Sequence, residues 1–425
     1  MRNRMAEDVA IVGVGCSRFG DLLETPELKG LSLQEVAAGA VREALDDAGL
    51  TPANVDAVYV GNAMVQSSHL PATYSQLSKW IGMELKPGVH FEAQCSTTNV
   101  GAGLAAMAIA SGVYDTALVV GLEATRTAPK GNSPYEREAM SSEQTWLWTD
   151  MAVNQAYATP QGYEIFSVYN GIPAQAYCRK YGVSIEDYDK AMLELCRTRR
   201  FHGSLTPKAF VQETLEDEAK RYGYNDVSEF WRSRLNPFAA WPVRIRNLVT
   251  TADGASAMVL TRRSLAKGLK AAPVGLAGFG MSYGDLPWYG DDPTCWPSDE
   301  KAITAAFDMA GIKAQDIKYL HTHDCSHISG LCTAELIGYL PRGRGWKVMR
   351  DGQTRFDGPR PMSTHGGRHA FGHAWAASAG SDTYETVKQM RKQAGKRQIT
   401  PAPDVAVIHT HGYAMISTVL VLKGA

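Results

Sequence analysis

Apolar and polar positions alternate along the chain in a pattern that repeats. Residues 9–15 (VAIVGVG) read as a short apolar strand, 31–50 (LSLQEVAAGAVREALDDAGL) as an amphipathic helix and 55–62 (VDAVYVGN) as a second strand, a β-α-β unit. The same order returns at 273–280 (PVGLAGFG), 301–312 (KAITAAFDMAGI) and 316–324 (DIKYLHTHD). Residues 40–62 lie over 302–324 without a gap, and Ala40, Ala44, Asp46, Ala48 and Gly49 match Ala302, Ala306, Asp308, Ala310 and Gly311. The shared D-x-A-G end, with glycine stopping the helix, carries more weight than the identity itself.

Each half continues in the same way. After Cys95 come a small-residue helix (about 96–112) and the strand TALVVGLE (116–123). After His373 come AWAASAGSDTYETVKQMRKQAG and the strand VAVIHTHG (405–412). Helices made of Ala, Gly and Ser admit close neighbours on every face, which predicts that sheets sandwich them. The expected fold class is therefore α/β, a duplicated α-β-α-β-α layered fold. Residues 125–247 are rich in Trp, Tyr, Arg and Pro and poor in strand runs, and they read as an inserted loop domain over the site. The N-terminal half is then 1–124 plus 248–268, and the C-terminal half is 269–425.

Composition narrows the function classes. A hydrophobic content of 44% with 20% charged residues describes an ordinary globular chain. The formal charge of −1 supplies no field for nucleic acid or an anionic membrane. No apolar run reaches about 18 residues, the length of a spanning helix. The N-terminal stretch MRNRMAEDVAIVGVG is unlike a secretion signal. Seven cysteines at irregular spacings point to free thiols and a cytoplasmic protein, and without a CxxC pair no zinc ribbon is expected within the chain.

Four segments carry candidate chemistry. Cys95 opens a helix, where a lowered thiol pKa is expected and Ser, Thr and Asn are available to cap N–H groups. On that segment alone, a nucleophile and an inert buried thiol are equally supported. The others are HTHDCSH (321–327), HGGRHAFGH (365–373) and HTHG (409–412), which hold eight of the 11 histidines. On a strand His321, His323 and Cys325 would share a face. Acyl transfer uses such a set as nucleophile, base and oxyanion donors. A metal site is the alternative, but it lacks HExxH and carboxylates at ligand spacing and leaves Cys95 without a role, so no metal is expected. A nicotinamide enzyme is disfavoured, because Gly13, Gly15 and Gly20 break the dinucleotide fingerprint and Arg18 stands at its third position.

Taken together, VAIVGVGCSRFG, the Cys95 helix with SGVYDTALVVGLE, ADGASA (252–257), HDC (323–325), GGRHAFGH (366–373) and the closing VAVIHTHGYAMISTVLVL resemble the thiolase superfamily, most closely its sterol-carrier-protein-X-type members. The resemblance covers most of the chain except 125–247. It implies that Cys95 is the acyl-accepting nucleophile and His373 the base that takes its proton. It implies that His323 binds the thioester oxygen and Cys325 moves the Cα proton. His321, His411 and Gly412 are expected to line the substrate or oxyanion pocket. Coenzyme A would be a substrate, with no permanently bound cofactor. Its phosphates are expected on the basic run 197–208, at Arg197, Arg199, Arg200 and Lys208. A homodimer is expected, and some relatives work with a small zinc-ribbon/OB-fold subunit, among them a benzoylsuccinyl-CoA thiolase. Trp146, Trp148, Tyr157, Tyr163 and Tyr169 would suit an aromatic acyl group. The sequence departs from the family in four places: Ser326 follows HDC where Phe is usual, GHA replaces GHP, HTHG replaces the closing CxG or HN-type motif, and STTN follows Cys95. A retro-aldolase or a non-catalytic scaffold on the same fold is the alternative.

Overall fold

The computed structural model describes residues 8–63, 73–127, 165–284, 292–412 and 416–424, with the backbone alone for 165–169. Eleven strands are present among these residues: β1 (Val9–Cys16), β2 (Ala57–Gly61), β3 (Gly88–Phe91), β4 (Thr116–Ala124), β5 (Phe238–Ala240), β6 (Val243–Arg244), β7 (Asp253–Arg262), β8 (Val274–Tyr283), β9 (Tyr319–His321), β10 (Val405–Gly412) and β11 (Ile416–Gly424). Nine of them form one sheet in the order β3-β2-β4-β7-β1-β8-β11-β10-β9, and β5 and β6 form a separate ribbon. The long sheet has a narrow waist. β1 and β8 pair only at Ala10–Gly275 and Ile11–Val274. It therefore behaves as two half-sheets, β3-β2-β4-β7-β1 and β8-β11-β10-β9, joined at one edge.

The helices that matter to the site are α1 (Leu33–Ala48), α2 (Thr97–Ala110), α3 (Ile165–Tyr181), α4 (Ile185–Ser204), α5 (Pro297–Ala310), α6 (His327–Leu336) and α7 (Trp375–Met390). α1 covers the outer face of the first half-sheet, burying Val36, Val41 and Leu45 against Val12, Val58, Val120 and Val259. α5 does the same for the second, with Ala302 and Ala306 against Ala277, Val419 and Val421. Between the half-sheets lie α2 and α7. Ala102, Ala105, Ala106 and Val387 share one cluster with Val9, Val119 and Leu260 on one side and Leu276, Ile408 and Leu420 on the other. These are the five layers that the small-residue helices predicted.

The duplication is written into the packing. A Cβ on Gly13 or Gly15 would run into the backbone carbonyls of Ala44 or Ala40, and a Cβ on Gly278 or Gly280 into those of Ala306 or Ala302. Each half thus presses a helix onto a strand through the same two Gly–Ala contacts. α1 begins with a Ser32–Glu35 capping box and ends at Gly49 (φ 71°), and α5 ends at Gly311 (φ 62°), both in the left-handed region that glycine adopts without strain.

The part of 125–247 that is described is mostly helical. Tyr177, Tyr188, Met192 and Leu195 of α3 and α4 share a core with Ile328, Leu331 and Trp346 of the C-terminal half. The segment is therefore packed into that half through side chains as well as lying in sequence between the two. Trp146, Trp148, Tyr157 and Tyr163 lie outside the described residues, and only the backbone of Tyr169 is described. Among the described residues no helix is long and apolar enough to cross a membrane.

Candidate active site

β3 leads into a sharp turn before α2. Gln94 has φ 50°, a left-handed conformation that a non-glycine residue adopts at a cost, and the 3-10 turn Gln94–Ser96 places Cys95 at its centre. The polar residues after Cys95 do not cap the helix, as the sequence suggested. Ser96 Oγ donates to the Thr410 carbonyl at 2.9 Å, and Asn99 Nδ2 donates to Thr410 Oγ1 and Thr418 Oγ1 at 3.3 Å each. Thr98 Oγ1 donates to the Ala376 carbonyl, and Thr97 Oγ1 accepts from Ala93 N at 2.9 Å. The STTN departure therefore ties the cysteine turn to β10, β11 and α7. Gly412 closes the contact, since a Cβ there would meet the Cβ of Gln94.

His373 arrives from the other half. Gly366, Gly367 and Gly372 all have positive φ (113°, 61° and 105°), so the loop reverses tightly before α7. His373 Nε2 lies 3.1 Å from Cys95 Sγ, and its Nδ1 lies 2.8 Å from Ser378 Oγ, which itself accepts from Ala374 N at 3.0 Å. A thiol that donates to Nε2 requires the proton on Nδ1, and Ser378 holds that tautomer. Burial dominates the charge state. It pushes the Cys95 thiol well above its ordinary value, with Cys325 adding to the effect, and it pushes His373 well below its own. The lowered thiol pKa expected of a helix start is thus overturned by desolvation, and the resting pair is neutral.

Two further groups face this pair. The His323 ring lies 5.4 Å from that of His373 and 4.7 Å from that of His411. Ligand-type atoms of His323, Cys325 and His411 lie within 4.8 Å of one another, as do those of Cys95, His323 and His373. Behind His411 stands Asp299, in the first turn of α5. Its carboxylate is 2.9 Å from His409 Nε2 and 3.5 Å from His411 Nδ1. Burial disfavours a charged His411, but the neighbouring Asp299 carboxylate and Cys325 outweigh it and its pKa is raised. Ser326, the departure from HDCF, caps α6 by accepting from Ser329 N and also donates to Asn170 of α3.

His321 falls elsewhere. β9 ends at His321, so the alternation predicted through 321, 323 and 325 breaks there. His321 Nδ1 and His365 Nε2 each lie 3.3 Å from Asp382 Oδ1, and Arg368 grips the same carboxylate through both terminal nitrogens at 2.6 and 2.5 Å. This cluster is fully buried and is separate from the set around Cys95.

The predicted phosphate site also needs correction. Arg199 is fully buried, donating to Asp324 Oδ2 at 2.6 Å and to the Met362 carbonyl at 2.9 Å. It braces the HDC turn, since Asp324 Oδ1 also accepts from Arg368 N at 2.8 Å. Arg197 pairs with Glu194 and Glu216, Arg200 with Glu213 and Glu218, and Lys208 with Glu43. A cation sealed in the core cannot meet a phosphate, and the other three already face carboxylates.

Asp299, Ser378 and Asp382 were not singled out from the sequence, and His409 and Arg368 lay in candidate segments without a role of their own. Two of the Cys and His sets have zinc-type donors, and in one of them Cys95 and His373 already engage each other. The Asp299 and Asp382 sets are likewise internally paired.

With this geometry in place, the relatives can be compared. The thiolase N-terminal domain matches residues 9–194, and a thiolase C-terminal domain-like family matches 290–424. The chain belongs to the thiolase family and is an acyltransferase of that class. It is 27% identical over 410 residues to an acetyl-CoA acetyltransferase of Methanothermobacter thermautotrophicus, covering 95% of this chain and 96% of that one. It is 28% identical over 420 residues to the benzoylsuccinyl-CoA thiolase subunit BbsB of Thauera aromatica, with 96% of each chain covered. Among solved structures, the Ltp2-ChsH2(DUF35) aldolase shares the fold, with a TM-score of 0.77 at 18% identity over 99% of this chain and 98% of that one.

Proposed function

We propose that this protein is a coenzyme A-dependent thiolase that cleaves a 3-oxoacyl-CoA through an acyl group on Cys95. The observation that carries the reading is the 3.1 Å contact between Cys95 Sγ and His373 Nε2, with Cys325 facing the same space. His373 takes the Cys95 proton as sulfur attacks the 3-oxo carbonyl. The C2–C3 bond breaks, and its electron pair moves into the departing thioester as an enolate. His323, kept neutral by burial, donates a hydrogen bond to that oxygen. Cys325 protonates the Cα carbon, and an acyl-CoA leaves. Coenzyme A then gives its thiol proton to Cys325, and its sulfur attacks the acyl-Cys95 thioester. Cys95 departs as thiolate and recovers its proton from His373. Two thiols poised in this way favour thiolysis over retro-aldol cleavage.

The substrate reading is drawn from BbsB. An aromatic 3-oxoacyl-CoA such as benzoylsuccinyl-CoA is the proposed substrate, and a small zinc-ribbon/OB-fold partner subunit and a homodimer are the proposed assembly. Co-purification from the native source tests the partner. Incubation with a 3-oxoacyl-CoA, digestion and mass spectrometry test the chemistry. Acyl is expected on the Cys95 peptide, and Cys95→Ala should lower turnover by at least roughly a thousandfold. Acyl on Cys325 alone would overturn the assignment.

A further inference from the structure

His411 and Asp299 stand outside the four residues that the proposed reaction uses, and both are fully buried. Asp299 reaches the pocket from the first turn of α5, with one carboxylate oxygen near His409 and the other near His411. On the pocket side, ligand-type atoms of His411 and Cys325 lie within 4.8 Å of each other. The edge of Trp296 packs on the His411 ring at 5.5 Å between centroids, which keeps the ring from turning away. The arrangement is a series of carboxylate, imidazole and thiol, and its order matches the hydroxyl, imidazole and thiol of Ser378, His373 and Cys95.

We propose that Asp299 and His411 form a proton relay behind Cys325, in which His411 returns a proton to the Cys325 sulfur and Asp299 is a positioning residue for the His411 ring. The proposal rests on the thiolase reading above. When Cys325 gives its proton to Cα, a bare thiolate would be left in a buried pocket. His411, as imidazolium beside the Asp299 carboxylate, passes its ring proton to Cys325 Sγ and becomes neutral. In the second half-reaction the coenzyme A thiol gives its proton to Cys325 Sγ as Cys325 returns the relayed proton to His411, so the cycle closes without an outside acid. The titratable groups around His411 among the described residues are Asp299 from α5, His409 from β10, and His323 and Cys325 from the turn before α6. Only Asp299 among them carries a fixed negative charge, and its carboxyl is held well below the usual range, with burial opposed by His409 and His411.

The test separates Cα chemistry from acylation. Wild type, Asp299→Asn, Asp299→Glu and His411→Gln are assayed for exchange of the acetyl-CoA methyl hydrogens with deuterated water. Acylation of Cys95 by the same thioester is followed in parallel. Asp299→Asn and His411→Gln should slow exchange by roughly 100-fold, the usual worth of a positioned acid or base, and leave acylation within about twofold. Asp299→Glu should recover part of the exchange. The wild-type exchange rate should fall as pH rises past the raised His411 value, and in Asp299→Asn that fall should begin at lower pH. Unchanged exchange in both folded variants would overturn the relay, as would equal losses of exchange and acylation, which mark a structural role. If Asp299→Asn does not fold, His411→Gln decides. A wild-type protein that neither exchanges nor acylates would overturn the thiolase reading itself.

Discussion

Asp382 lies 3.3 Å from His321 and from His365, and Asp299 lies 2.9 Å from His409 and 3.5 Å from His411. Both carboxylates are sealed from solvent, and each holds two imidazoles from neighbouring segments. The difference is one cation. Arg368 binds both oxygens of Asp382 and neutralises it, so its histidines need carry no charge, and burial pushes His321 down to about 3. No arginine or lysine is paired with Asp299 among the described residues, and beside its uncompensated carboxylate the pKa of His411 rises. A buried carboxylate with its own arginine is a structural pin. The same carboxylate without one becomes a place where a proton is kept ready.

The largest effect that tests this contrast is on stability. Arg368→Met leaves the Asp382 carboxylate buried without its cation and should cost about 3–5 kcal/mol in denaturant unfolding. Asp299→Asn removes hydrogen bonds to a charge without stranding one, and should cost less, roughly 1.5–3 kcal/mol. Equal losses would break the comparison.

The second effect is a pair of opposite pH slopes. His202 and His321 are pushed by burial to about 3 and His369 to about 4, so between pH 6.5 and those values the unfolded chain binds protons that the native state refuses. Stability should therefore fall as pH drops below 6.5, by about 1.4 kcal/mol per pH unit for each such histidine. The Asp299 and Asp382 carboxyls are lowered, so their contribution holds above pH 4 and is lost only below it. His411 is raised. Its contribution is complete below 6.5 and fades as pH rises through its folded value. Melting temperatures across pH 5 to 9 should show the alkaline decline in wild type and not in His411→Gln.

The smallest effect concerns His409. Burial and the neighbouring His409 both oppose charge on His411. His409→Gln keeps a donor for Asp299 and removes that opposition, so the alkaline fall of Cα exchange should move up by less than about one pH unit. A downward shift would mean that His409 supports the charge.

Much of the layered fold was legible because period and residue size state it directly. Glycine and alanine at matching places in the two halves left room for strands and helices to touch. Charge pairing was less legible. Arg199 stood in a basic run that looked solvent-facing, yet it lies one helical turn beyond Leu195 and Cys196 on the buried stripe of α4, and counting that stripe would have placed it inside. Asp299 gave no such signal, since an acidic residue in the first turn of a helix is the ordinary complement to the helix dipole. The Cys95–His373 contact came from resemblance, because no local pattern relates residues so far apart in the chain. β9 stopped at His321, so its side-chain alternation could not be carried on to 323 and 325.

The burial of Cys95 has a consequence for damage as well as for catalysis. Peroxides and other soft oxidants attack thiolates, and reactivity tracks both charge and exposure. Most low-pKa nucleophilic cysteines are therefore vulnerable whenever their substrate is absent. Here Cys95 is 6% exposed as a residue, and its sulfur rests as a thiol against a neutral imidazole. Its charge is released only when His373 takes the proton during attack. The reactive atom is thus chemically quiet between turnovers, and the enzyme should tolerate oxidant best when it is empty of acyl-CoA.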